Sequence, residues 1–456
     1  MPKIENPLKN GLRQRTILGL SKERLRGKLC LPTIRLFGEE VKQRFYTLSF
    51  SVFFLSISIL FFSCGTTSKI INEPAEEAPL IQAPETESQH KNQNHKKDTI
   101  TLLFAGDIMA HSVNYYITTY EKIWRDVHDI ISETDLAFAN IEAPIDTTKA
   151  ASSYPNFNMT QKYVQAAVDA GFDVFSLCNN HTNDQYKSGI LETIKTTQAI
   201  TEYTKESFGN DIYFSGTKQT ADSKLSALTY NYFEANGWKI LFLPITELLN
   251  RPDASDYINF IKPDEESRKA FIKYVKEFRE AHPCDLFIIS VHTSEPEYTR
   301  VITEKQNQFY MDLLEAGADV VWANHAHIIK DRKIVVDTKS KRDKIIMYAN
   351  GNTISGQRTK PELTSKNPTG ERDNTGDGLL YKVTLHKEKD GSIKIKKCEP
   401  IFITTYINTA NEFVIKPLNQ DFVDYLNDVP RTNWAKYIER RIKINKEATK
   451  DLIEWQ

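Results

Sequence analysis

The sequence predicts an α/β fold whose strands deliver polar side chains to a common edge. Short apolar runs are followed at once by polar residues: Val174 to Cys178, for example, leads directly into Asn179, Asn180 and His181, as a buried strand does on reaching a loop. Stretches of helical spacing separate these runs. Strand, polar loop and helix therefore alternate as in an open α/β sheet, where ligands collect at the carboxyl ends of the strands.

In chain order, the first segment stands apart from that fold. Residues 1 to 47 carry eleven Lys/Arg against four acids, the apolar run Leu48 to Phe62 follows, and Ser63-Cys64-Gly65 closes it. A basic start, an apolar stretch and a small residue before a cysteine read as an export signal over 1–63, with Cys64 as the lipidated N-terminus. Leu60-Phe61-Phe62-Ser63-Cys64 resembles a bacterial lipobox. A single transmembrane anchor is the alternative, and the apolar run falls short of the roughly 20 residues a spanning helix needs. Residues 64–98 are rich in Glu, Pro, Ser, Asn and Lys and bury too little apolar surface to order themselves, so they read as a flexible tether, with His90 and His95 solvated in it. The expected location is the cell envelope, with the membrane as partner through Cys64.

The chain as a whole is balanced in charge, 59 Lys+Arg against 60 Asp+Glu, so no bulk field recommends nucleic acid as a partner. Export would leave Cys178, Cys284 and Cys398, an odd number far apart, which indicates no disulfide framework. Thr99 to Phe104 is a β-branched apolar strand leading into Gly106, Asp107 and His111. Helical spacing over 117–132 precedes the strand Leu136 to Ala139, which leads to Glu142. Thr160 caps a helix that stops at Gly171, and a helix over 191–204 follows the His181 loop. Asn236-Gly237 reads as the turn of a hairpin, and Glu265 to His282 as an amphipathic helix with His282 capping its end. Asp285 to Val291 ends at His292. The helix 304–315 and the strand 319–323 lead to His325-Ala326-His327, and the strand 344–349 to Asn350-Gly351-Asn352. Residues 355–378 read as a long loop, mobile or facing substrate; two alternating strands and a charged helix over 434–455 complete the chain.

Strand after strand thus ends in a group that can ligate a cation. Asp107, Glu142, Asn180, His181, His292, His325 and His327 mix carboxylate, amide oxygen and imidazole, a set that suits Mn, Zn or Fe. A lone His at a strand end is ordinarily a satisfied surface or core residue; recurrence is what carries the inference. His325 and His327 carry it further, because alternate residues of an extended segment project to one side.

The series Gly106-Asp107-Ile108-Met109, Asn140-Ile141-Glu142-Ala143-Pro144, Asn179-Asn180-His181-Thr182 with Asp184, His292 with Glu297-Tyr298, His325-Ala326-His327 and Asn350-Gly351-Asn352 resembles the CapA family of poly-γ-glutamate capsule-synthesis proteins. That family is similar in fold to calcineurin-like metallophosphoesterases. The resemblance implies a four-layer α/β/β/α sandwich with two central sheets and a metal-binding cleft at their edge. It departs from the family where Thr293-Ser294 stands for Trp-Gly and Ala323-Asn324-His325-Ala326-His327 for Gly-His-His-Pro-His, which alters loop shape and leaves the ligands.

The expected organisation is a CapA-like domain over 99–405 and a helical extension over 406–456. The expected function is synthesis or export of an anionic capsular polymer such as poly-γ-glutamate. A divalent-metal hydrolase-like site would carry it, with His181, His292 and Glu142 catalytic and Glu142 or Asp107 bridging two cations. Two alternatives stand beside it: a non-catalytic subunit that holds the polymer for a synthesis complex through Tyr186, Lys187, Arg358, Lys360 and Arg372, and a periplasmic metallophosphoesterase.

Overall fold

The structure, a computed structural model, describes residues 98–117 and 119–455. The expected export signal over 1–63, Cys64 and all of the tether but its last residue lie outside these.

The strands are β1 (Thr99–Ile108), β2 (Leu136–Ile141), β3 (Val174–Ser176), β4 (Tyr213–Ser215), β5 (Asn231–Ala235), β6 (Trp238–Thr246), β7 (Leu286–His292), β8 (Val320–Asn324), β9 (Arg332–Asp337), β10 (Arg342–Met347), β11 (Asn352–Ile354), β12 (Asp377–Lys387), β13 (Ile393–Ile407), β14 (Phe413–Pro417) and β15 (Asp451–Trp455). They form one mixed sheet with a central order β4-β3-β2-β1-β12-β13-β10-β8-β7-β6-β5. β1 to β4 are parallel neighbours, as are β6, β7, β8 and β10, and the two groups are joined through antiparallel β12 and β13. A single registered pair, Arg342 with Ile393, ties β10 to β13. The two central sheets implied by the resemblance are therefore halves of one hydrogen-bonded sheet.

Alternation along the strands explains how the halves stack. Leu103 and Ala105 of β1, with Ala137 and Ala139 of β2, face Tyr163, Val164 and Ala167 of the helix Gln161–Asp169. Leu102, Phe104 and Phe138 point the other way and meet Phe242, Ile288 and Trp322 of β6, β7 and β8. Beyond these, Leu241, Leu243, Phe287 and Ile289 pack on Phe271, Val275, Phe309 and Leu313 of the helices Glu265–Ala281 and Glu304–Glu315. Strand faces strand inside, and helices cover both outer faces. Each fully buried Leu or Phe in these clusters contributes roughly 1.5–3 kcal/mol of transfer free energy.

Local signals set the boundaries. Thr160, Asp264 and Thr303 accept from the backbone N–H three residues on at 3.2, 2.8 and 3.1 Å, each fixing a helix start. Gly171 and Gly317 end helices at φ 106° and 121°. Asn236 and Gly237 take φ 52° and 80° in the β5–β6 turn, the left-handed pair such a hairpin needs.

Three expectations need correction. The region 117–132 forms two short helices, Glu121–Trp124 and His128–Ser132, instead of one long one. The charged helix expected over 434–455 runs Thr432–Ala448 and then gives way to β15, which pairs with β9 and is held by Arg332 Nε on Asp451 Oδ1 at 2.8 Å. Residues 406–456 hold the helices Gln420–Asp428 and Thr432–Ala448, and they also contribute β14 and β15 to the sheet. No described helix is long and apolar enough to cross a membrane.

Candidate metal centre

Asp107 lies near the end of β1, where the backbone of 350–351 passes close by. A Cβ at Gly106 would come 1.8 Å from the Gly351 carbonyl, so only glycine fits, and Asp107 N donates to that same carbonyl at 3.0 Å. The carboxylate is thereby fixed. Oδ1 accepts from Asn140 Nδ2 at 2.8 Å, and Oδ2 lies 3.4 Å from His327 Nδ1.

Glu142, just beyond β2, is fully buried, and neither carboxylate oxygen has a hydrogen-bond partner. Oε1 lies 3.7 Å from His292 Nε2 and 3.8 Å from His327 Nε2. Burial, with the nearby charges of Asp107 and Glu297, raises its pKa well above the ordinary carboxylate value. A carboxylate in this state is costly unless something compensates its charge.

The imidazoles arrive from the other half of the sheet. His292 closes β7; Asn180 Oδ1 accepts from its Nε2 at 2.8 Å, and its buried Nδ1 has no partner. Burial and the neighbouring His325 and His327 hold its pKa well below the ordinary value. His325 Nδ1 is likewise unpartnered, and burial followed by His327 pushes the pKa of His325 down to about 3. For His327 burial again acts downward, but the Asp107 carboxylate outweighs it and the pKa is raised. Asn352 Oδ1 meets His327 Nδ1 at 3.0 Å and orients the ring.

His325 and His327 converge for a different reason than expected. β8 ends at Asn324, and both histidines are in left-handed conformations, φ 98° and 54°. A strained turn, and not an extended run, brings their ring centroids to 5.9 Å.

Donor atoms of Glu142, His292 and His325 lie within 4.8 Å of one another, and so do those of Asp107, Glu142 and His327, and of Glu297, His325 and His327. The orphaned oxygens of Glu142 and the unpaired Nδ1 atoms of His292 and His325 are what a divalent cation would satisfy, so the residues fit one. Glu142 belongs to two of the three groups. Glu297 lies in a loop without periodicity, and its sequence signal as a ligand is its place in the motif after His292.

The remaining candidates border these groups. His181 belongs to none of them; Asp184 Oδ2 accepts from its Nδ1 at 2.7 Å and from Phe157 N at 2.8 Å, while Asn250 Nδ2 lies 3.2 Å from that Nδ1. His111 Nδ1 accepts from Gly356 N at 3.1 Å, and burial followed by His327 pushes its pKa down to about 3, so the ring is neutral. Both histidines, with Asn180, Glu297, Tyr298 and His327, line a cleft of about 710 Å³. Of the basic residues expected to face a polymer, Arg372 lines the cleft, Lys187 and Lys360 are exposed elsewhere, and Arg358 is buried against Asp377 at 3.1 Å. Arg358 is structural, and charge alone could not reveal that.

The sequence matches the bacterial capsule synthesis protein family PGA_cap over residues 101–357. Over 306 residues it is 25% identical to the capsule biosynthesis protein CapA of Bacillus anthracis, covering 62% of this chain and 66% of that protein. Over 276 residues it is 24% identical to the PGA biosynthesis protein CapA of Bacillus subtilis (strain 168), covering 59% and 66%. The matches thus span slightly less than two thirds of either relative. Among solved structures, the calcineurin-like phosphoesterase YfkN of Bacillus subtilis aligns with a TM-score of 0.37 at 11% identity, over 75% of this chain and 99% of that one.

Proposed function

The chain belongs to the bacterial capsule synthesis protein family PGA_cap, and from that premise we propose that it acts in the synthesis or export of an anionic envelope polymer such as poly-γ-glutamate. In this reading the fold is of the metallophosphoesterase type, and the cleft is a divalent-metal hydrolase-like site. The observation that carries the reading is Glu142, a wholly buried carboxylate without a hydrogen bond, set among Asp107, His292 and His327.

Asp107, Glu142, His292, His325, His327 and Glu297 would hold the cation or cations, with Asn180 contributing an amide oxygen beside them. A bound cation supplies Lewis acidity toward the bond to be broken. His181 does the proton work: Asp184 fixes the Nδ1 side of the ring, and Nε2, with Asn250 Nδ2 at 3.4 Å, gives or takes a proton at the leaving group. Asn352 and Asn140 hold His327 and Asp107 in register.

Purified full chain should bind Mn or Zn and release fragments from poly-γ-glutamate in a chelator-sensitive way. Glu142→Gln and His327→Ala should lose both the metal and the cleavage. Protein that binds neither metal, with both variants behaving as wild type, removes the reading.

A non-catalytic, polymer-holding subunit is the second reading, favoured by the cationic edge of the cleft at Arg372. Polymer retention that survives chelator, without fragments, selects it. In either case we place the chain at the cell envelope, anchored by lipidated Cys64; Cys64→Ser should release it from membranes and abolish incorporation of labelled palmitate.

A further inference from the structure

The outer edge of the cleft carries a feature that cation binding does not use. Two guanidiniums that line it are stacked on tyrosine rings, Arg251 3.9 Å from the Tyr186 centroid and Arg372 4.9 Å from that of Tyr298. They reach the cleft from separate elements, the loop after β6 and the one-turn helix Glu371–Asn374.

Both tyrosines beneath them are in the left-handed backbone region, Tyr186 at φ 62° and Tyr298 at φ 60°. An aromatic residue held there costs of order 1–3 kcal/mol, a cost that persists only where the surroundings enforce it and that gathers at ligand-binding sites. That it recurs under both arginines of one cleft separates this arrangement from chance surface stacking.

A guanidinium held over a ring face still has N–H groups to direct at oxygen acceptors. Arg251 has Nε on Asp253 Oδ1 at 3.0 Å, and Arg372 has Nη1 on the Tyr298 hydroxyl at 3.3 Å; each contact pins one edge of its fork. Among the described residues no carboxylate forms an ion pair with Arg372. The acids of the cleft are turned inward, Asp184 to His181 and Glu297 toward His325.

We propose that the two arginine–tyrosine stacks form a substrate subsite that grips successive oxyanions along a chain and so sets which bond reaches His181 and His327. The proposal rests on the polymer-processing reading above and adds to it the residues that select the substrate. A γ-linked polycarboxylate and a polyphosphate share the chemistry recognised, namely oxyanions repeated along a flexible backbone.

The test uses the purified full chain and a fluorescein-labelled γ-glutamate decamer, with inorganic tripolyphosphate as competitor, in variants shown to melt as wild type does. Arg372→Ala and Arg251→Ala should each weaken decamer binding about tenfold to a hundredfold, the loss expected for a charged hydrogen-bond donor, and the double variant more than either. Arg372→Lys should recover little, because a point charge cannot replace the stacked fork. Bound metal should be unchanged in all of them.

Arginine-dependent displacement of the decamer by tripolyphosphate supports the subsite and assigns phosphate as a source of the oxyanion; resistance to displacement supports it and assigns carboxylate. Wild-type protein that holds neither probe, or a double variant within about twofold of wild type, overturns the proposal. Glu142→Gln separates its failure from that of the enzyme reading. If that variant keeps metal and cleavage, the reading fails on its own; if it loses both while the double arginine variant binds normally, only the subsite fails.

Discussion

Two buried carboxylates, Glu142 and Asp377, sit in one molecule under opposite terms. Asp377 Oδ1 accepts from Arg358 Nη1 at 3.1 Å and Thr404 Oγ1 at 2.9 Å, and Oδ2 from Arg441 Nε at 2.7 Å and Asn445 Nδ2 at 2.6 Å. Burial alone would raise its pKa, but Arg441 and Arg358 hold it below the ordinary 3.8. Glu142 is as buried and has nothing, and its pKa moves the other way. The lesson is that burial of charge does not identify function. A saturated charge pins the helix Thr432–Ala448 onto the loop 355–378, whereas the unsaturated one is a group that a cation would satisfy.

The largest expected effect tests the saturated side. Asp377→Ala strands Arg358 and Arg441 as buried, uncompensated cations and should cost about 3–5 kcal/mol in denaturant unfolding. Glu142→Gln in chelator should instead leave stability within about 1 kcal/mol of wild type or raise it, because the orphaned charge is removed. Equal destabilisation by the two would break the contrast.

Asp377 also predicts a pH dependence. Its folded carboxyl titrates below the unfolded value, so its contribution is complete above roughly pH 4 and is lost as pH falls through the folded pKa. The stability gap between wild type and Asp377→Asn should therefore be flat from neutral pH down to that point and narrow below it.

A smaller effect belongs to the support of the candidate ligands. Asn352→Ala removes a partner of His327 Nδ1 and two further bonds, from Asn352 Nδ2 to Gln357 Oε1 and to the Thr375 carbonyl, both 2.9 Å; it should weaken metal binding roughly 10–100-fold in a chelator competition and cost about 1–3 kcal/mol of stability. Thr160→Ala, which removes the side-chain cap of the helix Gln161–Asp169, should cost about 1 kcal/mol and leave metal binding alone. Least of all, Lys360→Ala, at an exposed position, should shift stability by less than about 0.5 kcal/mol and polymer binding not at all.

Much of this was legible in the sequence because central parallel strands announce themselves. Val174 to Cys178 and Leu286 to Val291 are buried runs, apolar but for Ser176 and Ser290, and whatever follows them must emerge at the sheet edge. The peripheral strands β9, β14 and β15 were not legible. These mix charged and apolar residues and are defined by their neighbours more than by their own pattern, as Arg332 and Asp451 show by pairing across β9 and β15. Arg358 read as a surface cation because its partner Asp377 lies within the same polar stretch, and only the packing of Tyr437 and Arg441 closes over them. Glu297 gave no periodic signal, and the left-handed turn at His325 and His327 cannot be inferred from residues that seldom adopt it.

The seam between the two halves of the sheet has a mechanical consequence. Asp107, Glu142 and Asn180 come from the half that starts at β1, and His292, His325 and His327 from the half around β7 and β8, while only one registered pair joins β13 to β10. A cation held by Glu142 and His292 would add a link between the halves beside the Asp107 N–Gly351 O hydrogen bond, in the manner of a cross-link between distant parts of a chain. Loading the centre should then raise the melting temperature in proportion to the logarithm of free metal, and amide exchange at the ends of β1 and β7 should slow together.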